Sequence, residues 1–77
     1  MDFSGYYYTI HRGKYIKNYQ RYENAIKAFY KLVGEERIKQ NPAEVFCRQS
    51  YNGRNTGVYY HFDGAIVKRI DERAFIR

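Results

Sequence analysis

Residues 58–70 read Val-Tyr-Tyr-His-Phe-Asp-Gly-Ala-Ile-Val-Lys-Arg-Ile. Two runs rich in β-branched and aromatic residues flank Asp63-Gly64. Asp-Gly between such runs is a strong short-range hairpin signal, because its central residues tolerate positive φ. A two-residue turn pairs Phe62 with Ala65, His61 with Ile66 and Tyr60 with Val67. The segment before it, Ala43 to Tyr51, reads as a further strand. The intervening Asn52-Gly53-Arg54-Asn55-Thr56-Gly57 has loop composition.

Side chains alternate across a strand. One face of this three-stranded unit then carries Val45, Cys47, Val58, Tyr60, Phe62, Ala65 and Val67. The other carries Phe46, Arg48, Ser50, Tyr59, His61, Ile66 and Lys68. The first set is apolar and needs a cover. The second mixes bases and aromatics and faces solvent or a partner.

The cover lies upstream. From Glu23 to Val33 the apolar positions Ile26, Phe29 and Val33, with Tyr22 just before them, fall at spacings of four, three and four, and Ala25 and Leu32 widen the stripe. This is an amphipathic helix. Gly34 is a natural stop, and Asn41-Pro42 closes any continuation toward Lys39. Before the helix, Tyr6 to His11 and Lys14 to Tyr19 read as two strands joined at Arg12-Gly13. A two-residue turn there sets Ile10 opposite Tyr15 and Tyr8 opposite Lys17. The order strand, strand, helix, strand, strand, strand predicts an α+β domain: an antiparallel sheet of about five strands with one helix on one face.

The chain has 77 residues, too few for a second core, so residues 1–77 form a single domain. Its single Cys excludes an intrachain disulfide, and small exported folds usually carry several. No apolar run approaches the length of a membrane span, and Met1 to Gly5 lacks the basic start and apolar stretch of a signal peptide. A cytoplasmic location is expected.

Few residues invite catalysis or metal binding. His11, His61 and Cys47 are too few and too scattered for a structural zinc site. Cys47 and His61 fall on opposite faces, beyond the reach a Cys–His pair needs. Residues 52–57 lack the Gly-Lys-Ser/Thr ending of a phosphate loop. His61, Lys68 and Arg48 could gather on the open face, as in a small ribonuclease toxin, which is the weakest of three functional readings. Arg12 to Tyr19 begins like the aromatic strand of RNA-recognition domains but departs at its third, fourth and fifth positions. No catalytic residue, metal ligand or cofactor is assigned.

Charge and aromatics carry the remaining signal. There are 14 Lys and Arg against 8 Asp and Glu, a formal net charge of +6, with 10 Tyr and 5 Phe. Arg12, Lys14, Lys17 and Arg21 crowd one stretch with no acid among them. A second set, Arg48, Arg54, Tyr59, His61 and Lys68, belongs to the sheet and its loop. Basic side chains beside aromatics suit nucleic-acid binding and protein hot spots alike. These nine residues are the expected contact set.

In its order of elements, across Tyr6–Tyr19, Glu23–Val33 and Val45–Ile70 with the Asn-Gly and Asp-Gly turns, the chain resembles small phage anti-CRISPR inhibitors of the type I-F surveillance complex. The resemblance is one of architecture. It implies a stoichiometric, non-enzymatic binder that blocks DNA from reaching a guide-RNA complex. A basic chain does not imitate DNA, so it would grip acidic protein surface, guide RNA or DNA. The alternative is an autonomous DNA- or RNA-binding regulator. The partner is thus a host protein complex that handles nucleic acid, or DNA or RNA directly, and no membrane.

The face assignment makes a direct prediction. Tyr60→Glu places a charge against the core and should unfold the protein, whereas Tyr59→Glu should not. Thermal melts followed by circular dichroism check this, and equal stability of the two variants would overturn the assignment.

Overall fold

The computed structural model describes residues 5–75. Strands β1 (Tyr6–Arg12) and β2 (Tyr15–Tyr19) precede helix α1 (Tyr22–Arg37). Strands β3 (Val45–Tyr51), β4 (Arg54–Phe62) and β5 (Val67–Asp71) follow, and a 3₁₀ turn η1 (Glu72–Phe75) ends the described chain. All strand pairings are antiparallel, in the spatial order β2-β1-β3-β4-β5. The fold is the expected α+β sheet with one helix on one face.

The helix stripe lands as its spacing requires. Ala25, Phe29 and Val33 are buried against Ile10, Val45, Cys47 and Phe62, with Tyr60 and Val67 packed at the margin. This apolar cluster is the main favourable term in folding, at roughly 25 cal/mol per Å² of apolar surface removed from water. Tyr60 sits on the core side with its ring 6.1 Å from that of Phe29. Tyr59 points to the open side, where it pairs across strands with Arg48.

Each hairpin differs from its expected register by two residues at its centre. β1 and β2 pair Arg12 with Tyr15 and Ile10 with Lys17, so the turn is Gly13-Lys14. Gly13 takes the positive φ of 58° there. β4 and β5 pair Phe62 with Val67 and Tyr60 with Arg69. The Asp63-Gly64 turn widens because the Asp63 carboxylate accepts hydrogen bonds from the amides of both Ala65 and Ile66, each at 2.9 Å. That capping draws Ala65 and Ile66 out of the strand. Across β3 and β4, Cys47 faces Tyr60. Because every shift is even, the two faces keep their residues; Ala65 and Ile66 belong to neither, since they lie in the loop.

The Asn52–Gly57 segment is also shorter as a loop than its composition suggests. Asn52 (φ 48°) and Gly53 (φ 82°) form a tight turn, and β4 begins at Arg54. A register shift between Arg48 and Ser50 absorbs the difference. There the Thr56 hydroxyl donates to Gln49 Oε1 at 2.8 Å.

The helix does not stop at Gly34. It runs to Arg37, held by Glu36, which is only 1% exposed. One Glu36 oxygen accepts from Lys39 Nζ at 2.7 Å and from Arg12 Nη1 at 3.3 Å; the other accepts from the amide of Ala43 at 2.8 Å. A single carboxylate thus ties the helix end, strand β1 and the loop entering β3. That anchor outweighs the roughly 1 kcal/mol that a helical glycine costs relative to alanine.

Lys39, then the Ala43 amide, hold the Glu36 carboxyl below its ordinary pKa. A depressed acid stabilises the fold above its unfolded pKa and loses that contribution as the pH falls. Glu36→Gln should therefore lower the melting temperature at neutral pH and flatten its decline below about pH 4.5. Parallel melting curves for variant and parent down to pH 3 would contradict this role.

Candidate nucleic-acid interface

The helix covers one side of the sheet and leaves the other open. On that open side three cross-strand partners line up, His11 on β1, Phe46 on β3 and His61 on β4, with Lys68 next on β5. The neighbouring row holds Thr9, Arg48, Tyr59 and Ile70. Alternation alone puts these side chains together, since their partners at 10, 45, 47 and 62 are committed to the core.

The rings form a stack. Phe46 and His61 lie nearly parallel, with centroids 4.3 Å apart and planes 3° from coplanar. The Arg48 guanidinium sits over Phe46 at 4.7 Å and over Tyr59 at 4.8 Å. Each such contact is worth about 0.5–1 kcal/mol at an exposed site. Two together fix the guanidinium plane while leaving its N–H edge for an anion. Among the described residues no carboxylate forms an ion pair with Arg48. Shallow depressions flank it, one bordered by His11, Gly13 and Phe46 and the other by Asn55, Gly57 and Tyr59.

Two carboxylates brace this surface from its margins. Glu44 Oε2 lies 2.5 Å from His61 Nε2. The Tyr59 hydroxyl donates to Glu72 Oε1 at 3.1 Å. Burial, then this bond, push the Tyr59 phenol up from its ordinary pKa. Burial and then the Arg48 charge push the His11 imidazole down.

Of the nine expected contact residues, Arg48, Tyr59, His61 and Lys68 share this face. Arg54 stands exposed at the start of β4, beside the Asn52-Gly53 turn. The upstream stretch is not gathered with them. Arg12 is engaged by Glu35 at 2.8 Å and by Glu36. Lys17 leans over Tyr19, 5.2 Å from its ring, in a groove between β2 and α1 that Arg12 and Lys31 also line. Lys14 occupies the β1–β2 turn and Arg21 the helix N-cap, both exposed. Phe46 and His11 belong to the open face but not to the expected set. The alternation that placed Phe46 beside Arg48 was the available signal.

Cys47 lies on the helix side, away from both histidines. Burial pushes its thiol up to about 12, which keeps it protonated and unreactive. Among the described residues no three His, Cys, Asp or Glu side chains converge as a metal site, and no helix is long and apolar enough to cross a membrane. Comparison with protein-family models, with curated proteins and with solved structures gave no match.

The electrostatics of this face can be read from His11. A histidine whose folded pKa is depressed destabilises the fold as the pH falls below its unfolded value. Its NMR titration midpoint should lie below 6.5, and Arg48→Gln should move that midpoint upward. An unchanged midpoint in the variant would show that Arg48 does not act on His11.

Proposed function

We propose that this chain is a small, non-enzymatic binding protein, encoded by a phage or mobile element, that inhibits a host nucleic-acid-targeting complex by occupying the strand that complex must use. The open face of the sheet is its contact surface. The observation that carries this reading is the Arg48 guanidinium held between Phe46 and Tyr59, beside the Phe46–His61 stack. Single strands are gripped by aromatic surfaces that stack on bases and by cations that meet the backbone. A sheet face with both, on a chain of net charge +6, suits that task. Blocking DNA access is the form of inhibition that the architectural resemblance to anti-CRISPR inhibitors adds.

The same face favours the second reading, an autonomous DNA- or RNA-binding regulator. Salt and partner capture separate the two. Purified protein should bind a single-stranded oligonucleotide at low salt, with affinity falling steeply as salt rises. Tyr59→Ala should weaken that binding about tenfold, in line with 1–3 kcal/mol per stacked base. Capture from host lysate should recover a protein complex together with its nucleic acid. If nuclease treatment releases all captured protein, the regulator reading stands and the inhibitor reading falls. If no oligonucleotide binds at low salt and capture recovers no nucleic-acid-handling protein, both fall.

A further inference from the structure

On the helix side, the sheet extends past the helix toward β4 and β5. Where the cover ends, a cavity of about 220 Å³ opens beneath the first turn of α1. It is lined by Tyr8, Tyr22 and Tyr60, by Cys47, Val58 and Tyr59, and by the polar side chains of Gln49 and Arg69. Tyr8 and Tyr22 meet edge to face, with centroids 5.6 Å apart, and Tyr22 and Tyr60 lie 6.4 Å apart.

The hydrogen bonds inside this cavity leave a surplus of donors. The hydroxyls of Tyr22 and Tyr60 share one bond of 2.9 Å, so one of their two protons is left over. That bond, with burial, pushes the Tyr22 phenol up to about 12 and keeps it protonated. Tyr8 Oη accepts a 3.4 Å contact from Gln49 Nε2, leaving its own proton without an acceptor among the described residues. Gln49 Oε1 is taken by the Thr56 hydroxyl, so the carboxamide offers the cavity its N–H groups. Among the described residues Arg69 has one loose ion pair, 3.9 Å from Asp71 Oδ2. Asp71 is instead held by Arg73 through Nη2 at 2.8 Å and Nε at 3.0 Å. Arg69, half exposed, thus borders the cavity with its charge only loosely matched by Asp71.

We propose that this cavity is a binding site for a small planar anion, a single six-membered ring carrying one negatively charged group, with the ring between the tyrosines and the anion on Arg69. The size admits one ring, since drug-sized ligands need cavities of about 300 Å³ or more. The donor surplus selects a ligand rich in acceptors. Two sources share that chemistry: an aryl phosphate and an aromatic carboxylate. The site is on the opposite side of the sheet from Arg48 and does not rest on the reading of the open face.

The test is a heteronuclear NMR titration of the full chain with phenyl phosphate and, separately, with benzoate. The side-chain signals of Gln49 and Arg69 and the rings of Tyr8 and Tyr60 should shift. Shifts with phenyl phosphate alone assign the site to aryl phosphates, and shifts with benzoate alone assign it to aromatic carboxylates; either supports the site. Arg69→Gln should weaken binding about tenfold or more, as expected for loss of a charged hydrogen bond. Tyr8→Phe keeps the ring but removes the free donor, and should weaken binding less. Melting curves confirm that both variants fold. Absence of shifts with either probe, shifts confined to Phe46 and His61, or undiminished binding by a folded Arg69→Gln variant would overturn the proposal.

Discussion

The rest of the molecule depends on the contact of Phe29 with the sheet face built from Ile10, Val45, Cys47 and Phe62, all of them nearly or fully out of reach of solvent. Burying one large apolar side chain is worth about 1.5–3 kcal/mol. A cation over an exposed ring is worth about 0.5–1 kcal/mol. The core therefore sets the register and the open face follows. Once residues 10, 45, 47 and 62 are committed inward, the pleat turns His11, Phe46, Arg48 and His61 outward together. The make-up of the open face is a consequence of the core and needs no separate folding instruction.

The charge distribution sharpens what a net charge of +6 means here. Part of the acidic complement does structural work: Glu36 ties three segments together, and Asp71 is occupied by Arg73. These pairings remove Arg12 and Arg73 from the charge free to meet a partner. Arg48 and Lys68 on the open face, and Lys17 and Lys31 beside β2, stand outside the ion pairs described above. The protein thus offers cationic surface on two sides of the sheet, and on the open side it lies beside the stacked Phe46–His61 pair.

Alternation and helical spacing made the element order, the single covering helix and the membership of both faces legible in the sequence. Three features were not legible, each for a physical reason. Asp63 is a turn residue, but that its carboxylate would cap two amides and lengthen the turn depends on backbone geometry. Gly34 looks like a helix stop, yet the buried partners that carry the helix past it come from residues 12, 39 and 43. Arg12 looks like part of a basic patch, yet tertiary contact with Glu35 and Glu36 commits it to the scaffold. Phe46 could have been found, since it shares a face with Arg48 and Tyr59.

The central claim is that the open face is where this protein meets its partner's nucleic acid. Chemical-shift mapping with a short single-stranded oligonucleotide at low salt tests it most directly. The account predicts that the largest changes fall on Phe46, Arg48, Tyr59 and His61, with the buried residues of α1 unmoved. Changes confined to the helix side, or no change on any face at saturating oligonucleotide, would contradict it.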